Sequence, residues 1–217
     1  MEWALLSGLS EAERRSVLTL TRRWRFGRGD FIFYEGDPGD SMHLLAKGLV
    51  GVRVTTPLGD VATLLVIGPG GYFGEMALVS PAPRNATTVA LEPVETLSIH
   101  RDHFDELRMR EPSIDRFLLD TAIAEVRRLS HRLLEALYVP AEKRVLRRLL
   151  ELVDLYGTAT EASTTIPLTQ EDLAQLAGTT RPTANKVLRA AEDAGTVLIG
   201  RGRIEVLDAA ALARRAR

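Results

Sequence analysis

The chain has 217 residues, 45% of them hydrophobic and 26% charged, the balance of a globular protein with a packed core, which excludes a fibre or a disordered chain. Its net charge is -1, from 28 Lys+Arg against 29 Asp+Glu, so any charge that binds nucleic acid has to be a local patch. It has no cysteine, which excludes disulfides, Cys-ligated zinc, Cys-held iron–sulfur clusters and a thiol nucleophile.

The opening MEWALLSGLSEAERR lacks a basic stretch followed by an apolar run, and no segment approaches the ~20 continuous apolar residues of a membrane span. The cytoplasm is the expected location, with no membrane partner. Ser10-Glu11-Ala12-Glu13 reads as a capping box that opens a short helix through Leu18 and Leu20. From Phe26 to Ile99 short apolar runs alternate with glycine and proline turns, among them Gly36, Gly39, Gly48, Gly59, Gly70 and Gly71. That texture predicts an antiparallel β-sandwich or barrel.

After Asp102 the period becomes helical. Pro112 can open a helix, and with no glycine or further proline before Leu137 one long helix is expected. Leu119, Ala122, Val126, Leu129, Leu133 and Ala136 recur at alternating spacings of three and four, a heptad seam. The stripe suits a parallel homodimer or packing on the helix's own domain; the charged flanks favour the dimer. Pro140 breaks the helix and sets a domain boundary, giving 1–110, 111–139 as long helix and hinge, and 140–217. A further helix through Val145, Leu149 and Leu152 ends at Gly157, and a Thr/Ser-rich loop leads to Ile166.

Thr169-Gln170-Glu171-Asp172 is close to a capping box. It opens a short helix, Gly178 turns the chain, and Thr180 with Pro182 opens the next helix. Helix, glycine turn and helix at this spacing suit a helix-turn-helix, although two helices of any bundle can look alike. The polar face of the second helix carries Arg181, Thr183, Asn185, Lys186 and Arg189, with no acid before Glu192. Such groups reach phosphates and base edges; the plainer alternative is a solvated basic face. Thr196 to Leu207 flanks Gly200-Arg201-Gly202 as a hairpin with a basic tip, a wing. Thr180, Arg181, Thr183, Asn185, Lys186, Arg189 and Arg201 are the candidate DNA contacts.

Gly70-Gly71-Tyr72-Phe73-Gly74-Glu75-Met76-Ala77-Leu78 precedes Pro83-Arg84-Asn85-Ala86-Thr87-Thr88. Glycines beside a lone arginine suggest an anion cradle, in which backbone N–H groups and a guanidinium share one phosphate. Glu75 and Arg84 could equally form a structural salt bridge. No Gly-Lys-Ser/Thr follows, so this is not a P-loop.

The stretch F-G-E-M-A-L followed after five residues by R-N-A-T-T closely resembles the phosphate-binding cassette of cyclic-nucleotide-binding domains. With T-Q-E-D-L-A-Q-L-A-G-T-T-R-P-T-A-N-K-V-L-R it makes nearly the whole chain resemble the bacterial cyclic-AMP receptor protein / FNR family. The resemblance implies an α+β fold: an N-terminal antiparallel β-barrel, a long dimerisation helix and a C-terminal winged helix-turn-helix. It implies a cyclic nucleotide as allosteric effector, cyclic AMP first and cyclic GMP as the competing choice. Glu75 would bind the ribose 2′-hydroxyl and Arg84 the cyclic phosphate; Gly74, Met76 and Ala77 would line the cassette, with Asn85 beside the phosphate.

Asn85 departs from the serine, alanine or threonine that follows the arginine in related proteins. Leu129-Ser130 stands where the family places a Thr-Ser pair against adenine, so Ser130 keeps one hydroxyl. Arg181-Pro182 replaces the family's Arg-Glu, so the operator should differ there. The resemblance implies double-stranded DNA with an inverted-repeat operator and RNA polymerase as partners. The four histidines, His43, His100, His103 and His131, show no ligand pattern, and no metal, haem or iron–sulfur cluster is expected. No catalytic residue is expected either. The competing readings are an effector-independent regulator with a structural Glu75–Arg84 pair, a cyclic-nucleotide hydrolase, which lacks a His/Asp cluster, and a regulatory module for another protein.

Overall fold

The computed structural model describes residues 3–80, 82–157 and 163–217. It divides into two compact units, Met1–Val54 with Leu64–Arg128, and Thr55–Thr63 with Leu129–Arg217.

In the first unit a 3-10 turn, Ala4–Leu6, precedes α1, Glu11–Thr19. The expected capping box is present: the Ser10 hydroxyl accepts from the Glu13 amide, and the Glu13 carboxylate accepts from the Ser10 N–H at 2.8 Å. Then come β1 (Arg22–Phe26), β2 (Phe31–Phe33), β3 (Ser41–Lys47), β4 (Val50–Thr55), β5 (Val61–Ile67), β6 (Tyr72–Phe73), the single turn α2 (Met76–Val79), β7 (Thr87–Ala90) and β8 (Val94–His100).

The strands form two four-stranded sheets, ordered β1-β8-β3-β6 and β2-β7-β4-β5. The pairings β1·β8, β3·β8, β3·β6, β2·β7 and β4·β7 are antiparallel. The expected barrel is therefore not closed. Among the described residues no ladder joins an edge of one sheet to the other, and the arrangement is a jelly-roll-like sandwich. Successive strand residues face opposite sides, and β3 is buried on both. Met42 and Leu44 pack with Trp3, Leu6, Ile99, Phe104 and Ile114, whereas Leu45 joins Val50, Phe73, Ala90 and Val94 between the sheets.

β1 begins before the expected start of the strand-rich region. Its residues Arg22, Arg23, Trp24 and Arg25 are exposed, so no alternation marks it. Side-chain pairing on the surface holds it instead. The Arg22 guanidinium lies 4.2 Å from the Trp24 ring centroid, and Arg23, Arg25 and Lys47 gather round Glu95 at 3.6, 3.2 and 4.0 Å.

The helical texture after Asp102 is realised as α3 (Arg101–Arg110) and α4 (Pro112–Tyr138). Glu111 breaks them at φ -126, ψ 84, because the residue before a proline avoids the α region. The seam on α4 is left largely uncovered by the described residues: Leu119, Val126, Leu129 and Leu133 are 61%, 64%, 41% and 60% exposed.

The second unit holds α5 (Ala141–Tyr156), β9 (Thr164–Ile166), α6 (Gln170–Ala177), α7 (Arg181–Asp193), β10 (Val197–Gly200), β11 (Arg203–Val206) and α8 (Ala209–Ala216). The strands form one sheet, ordered β10-β11-β9. β9 lies in the expected loop, part of which is outside the described residues, and α8 was not expected. Val145, Leu149, Ile166, Leu173, Leu188, Val197, Ile204 and Leu212 are buried.

The expected boundary at Pro140 lies inside the second unit. α4 does end at Tyr138, but ion pairs cross the proline. Arg132 pairs with Glu151 at 3.0 Å, Arg147 with Glu135 at 2.7 Å, and the buried Arg148 with both Glu135 and Glu151. The last turns of α4 thus belong to the second unit, and the division falls between Arg128 and Leu129.

Candidate functional site

The cassette residues come together around Arg84, which is 5% exposed. Its Nη1 donates to the Gly74 carbonyl at 2.8 Å and its Nη2 to the Ser41 hydroxyl at 3.3 Å. The guanidinium lies 4.2 Å from the Phe33 ring centroid, and the nearest carboxylate oxygen, from the exposed Asp40, is 3.9 Å away. Its Nε is buried and has no hydrogen-bond partner among the described residues. Burial holds the guanidinium below its usual pKa, yet arginine remains a cation at any physiological pH. A buried cation with one unused donor suits an anion.

Gly74 turns the chain at φ +84, and a Cβ there would stand 2.7 Å from Arg84 Nη1. Only glycine adopts this conformation without strain and leaves the guanidinium in place. The turn leads into α2, whose first amides have no acceptor within the helix. Met76 is exposed and its sulfur accepts from Asn85 Nδ2 at 3.4 Å; Ala77 is buried.

Glu75 occupies the N-cap position of α2, half-buried. Burial pushes its carboxyl above the usual range, and a backbone hydrogen bond and then the positive charge of Arg84 partly offset that. Glu75 and Arg84 form no ion pair among the described residues, so the structural pair expected as an alternative is not present. Arg84 takes Gly74, Ser41 and Asp40 as its partners instead. A carboxylate disfavoured by burial gains from hydroxyl donors, and the guanidinium gains from a phosphate. The two groups therefore fit a molecule that carries both.

Two contributors were missed from sequence. Arg101 donates through Nη2 to the carbonyls of Ala77, at 2.8 Å, and Gly39, and through Nη1 to that of Leu78 at 3.3 Å. It ties the end of α2 to the junction of β8 and α3. His43 is buried within reach of the Arg84 charge. Burial first, then the charge of Arg84, lowers its pKa to about 4. Neither one arginine at the start of a helix nor one histidine in a strand signals such a role in the sequence. Ser130, the remaining expected ligand residue, is exposed on α4 in the second unit.

The second constellation lies on α6, α7 and the β10–β11 hairpin. Thr169 and Asp172 form the expected capping box, and Gly178 makes the turn at φ 58. Thr180 caps α7, its hydroxyl accepting from the Thr183 amide, and the two hydroxyls are 3.0 Å apart. Ala184, Val187, Leu188 and Ala191 fill the buried face of α7. Arg181, Lys186 and Arg189 are exposed, as is Arg201 at the hairpin tip.

Lys186 Nζ is 3.8 Å from Glu142. Arg189 pairs at 2.6 Å with Glu192, which also accepts from the Ile199 amide at 2.9 Å and so joins the helix to the wing. Asn185 is half-buried and donates through Nδ2 to Gln170 Oε1 at 2.7 Å. Arg144, also unnoticed in sequence, donates to the carbonyls of Val139, Ala177 and Gly178 at 2.8, 3.0 and 2.9 Å. A helix with three exposed cations beside a basic wing can neutralise phosphates and reach base edges.

Among the described residues no group of three or more His, Cys, Asp or Glu is placed to hold a metal ion, and no helix is long and apolar enough to cross a membrane.

Residues 23–111 match the cyclic nucleotide-binding domain family and residues 143–215 the Crp-like helix-turn-helix domain family. Over 210 residues the chain is 31% identical to the CRP-like cAMP-activated global transcriptional regulator of Mycobacterium tuberculosis, covering 94% of each protein. Over 208 residues it is 33% identical to the cyclic AMP receptor protein of Thermus thermophilus, covering 96% of this chain and 94% of that one. The crystal structure of the Thermus thermophilus catabolite activator protein is similar at a TM-score of 0.56 and 33% identity, over 98% of this chain and 97% of that chain.

Proposed function

The chain belongs to the cyclic-AMP receptor protein / FNR family of cyclic-nucleotide-binding transcription regulators, and we propose that within it the chain is a homodimer gated by cyclic AMP. The observation that carries this reading is Arg84, a buried guanidinium with an unused Nε beside a glycine at positive φ. Arg84 would hold the cyclic phosphate, and Glu75 would accept from the ribose 2′-hydroxyl. Gly74, Met76 and Ala77 would supply the surrounding backbone, with Asn85 at the phosphate and Ser130 toward the base. Cyclic AMP takes precedence over cyclic GMP because the Mycobacterium and Thermus relatives described above are named for cyclic AMP.

Two copies would pair along Leu119, Val126, Leu129 and Leu133, which burial on association would remove from water. The effector acts only by favouring one arrangement of the pair over the other. The paired α7 helices would enter successive major grooves, roughly 34 Å apart, which calls for an inverted repeat. Thr180, Arg181, Thr183, Asn185, Lys186, Arg189 and Arg201 would face the duplex in the cytoplasm, with RNA polymerase as the further partner.

The test is calorimetric titration with cyclic AMP and with cyclic GMP. Saturable binding that is lost in Arg84→Leu supports the pocket and decides the base. No heat from either nucleotide, with DNA binding intact, would replace this reading by an effector-independent regulator.

A further inference from the structure

We propose that Gln170 is a positioning residue for base reading, which sets the carboxamide of Asn185 so that it meets an adenine with one donor and one acceptor. The inference rests on the reading that α7 enters the major groove.

Asn185 stands one turn after Arg181. At about 100° per residue, it falls on the flank of α7. On one side is the buried stripe of Ala184, Val187, Leu188 and Ala191, and on the other the exposed line of Pro182, Lys186 and Arg189. That flank is turned to α6, where the Nδ2 donates to Gln170 Oε1 at 2.7 Å across 15 residues of sequence.

A carboxamide carries two N–H donors and one acceptor oxygen. Adenine presents N7 as acceptor and the N6 amino group as donor in the major groove. The terminal torsion of asparagine is broad and two-fold, so an unsupported side chain offers its oxygen and nitrogen in either order. In the bond to Gln170 the nitrogen end of Asn185 faces α6 and uses one N–H. The other N–H and the oxygen remain as the pair that adenine requires.

The support is itself anchored. Gln170 opens α6 directly after Thr169, whose N–H donates to the Asp172 carboxylate at 2.9 Å while its hydroxyl accepts from the Asp172 amide at 3.1 Å. With Oε1 committed to Asn185, the Gln170 Nε2 donors are left for a phosphate.

The experiment selects sites from random duplex DNA, using the full chain with and without cyclic AMP, as wild type, Asn185→Ala, Gln170→Ala and Gln170→Glu. Nucleotide titration and thermal unfolding confirm that each variant is folded. Wild type should enrich an inverted repeat; failure there sinks the function itself and this inference with it. Asn185→Ala should relax one A·T position per half-site from about tenfold preference to near unity. Gln170→Ala should relax the same position and no other. Gln170→Glu keeps an acceptor oxygen, so it should retain the preference while binding every sequence more weakly. A position that stays as sharp in Gln170→Ala as in wild type overturns the proposal, and so does an Asn185→Ala variant that relaxes none.

Discussion

The imidazole of His43 lies parallel to the Phe73 ring, with centroids 5.2 Å apart and planes 4° apart, and its Nδ1 is 3.0 Å from the Thr96 hydroxyl. The Arg84 guanidinium covers Phe33, whose ring is 6.2 Å from the imidazole. The floor of the cassette is thus a neutral histidine in an aromatic layer. A proton there would meet both desolvation and the charge of Arg84, against the weaker pull of Asp40.

This gives a pH dependence with a fixed sign. The His43 pKa falls from 6.5 to about 4 on folding. Above the unfolded value both states are neutral and the contribution is fully present. As pH drops from there toward the folded value only the unfolded chain takes the proton, and about 3 kcal/mol is lost. Urea unfolding at neutral pH and at the folded pKa should show a smaller acid loss in His43→Gln than in wild type. Equal losses in the two proteins would remove His43 from the account.

Gly74→Ala tests the cradle. Alanine at this positive φ costs roughly 1–2 kcal/mol, and its methyl would displace Arg84 Nη1. Cyclic-nucleotide affinity should fall by about tenfold or more, while the unfolding of the DNA-reading unit should be unchanged. Wild-type affinity in titration would show that the turn does not hold the guanidinium.

Glu135→Gln tests the brace across Pro140. It leaves the buried Arg148 with Glu151 as its carboxylate and Arg147 with the Ala216 carbonyl. Removing one partner of a buried pair costs about 3 kcal/mol, read as a lower denaturant midpoint of the reading unit. An unchanged midpoint would mean that apolar packing alone holds α4 on α5.

Leu133→Lys puts a charge into the proposed seam, at a residue 60% exposed in the single chain. Sedimentation should show a monomer at micromolar concentration, and affinity for an inverted repeat should fall by about 100-fold once the two half-sites bind separately. A variant that still sediments as a dimer would place the interface elsewhere.

What the sequence disclosed was what neighbours along the chain decide. The capping boxes at Ser10 and Thr169 and the turn at Gly178 are local chemistry, and each was realised as read. The cassette and the helix-turn-helix were legible for the same reason, since each is one short run. β1 was missed because Arg23 and Arg25 gain their partner, Glu95, from a strand far along the chain. The partners of Arg84 are Ser41 and Gly74 rather than Glu75, which spacing alone does not reveal. The same holds for Gln170 and Asn185, brought together by a turn whose angle depends on tertiary packing.

The cross-bracing of Pro140 changes the mechanics of the long helix. A proline between two helices reads as a swivel, yet Glu135, Arg147, Arg148, Glu151 and Arg144 weld it shut. The ten residues from Leu129 to Tyr138, about 15 Å of helix, thereby become part of the same framework as α5, and a side chain on them is a side chain of the reading unit.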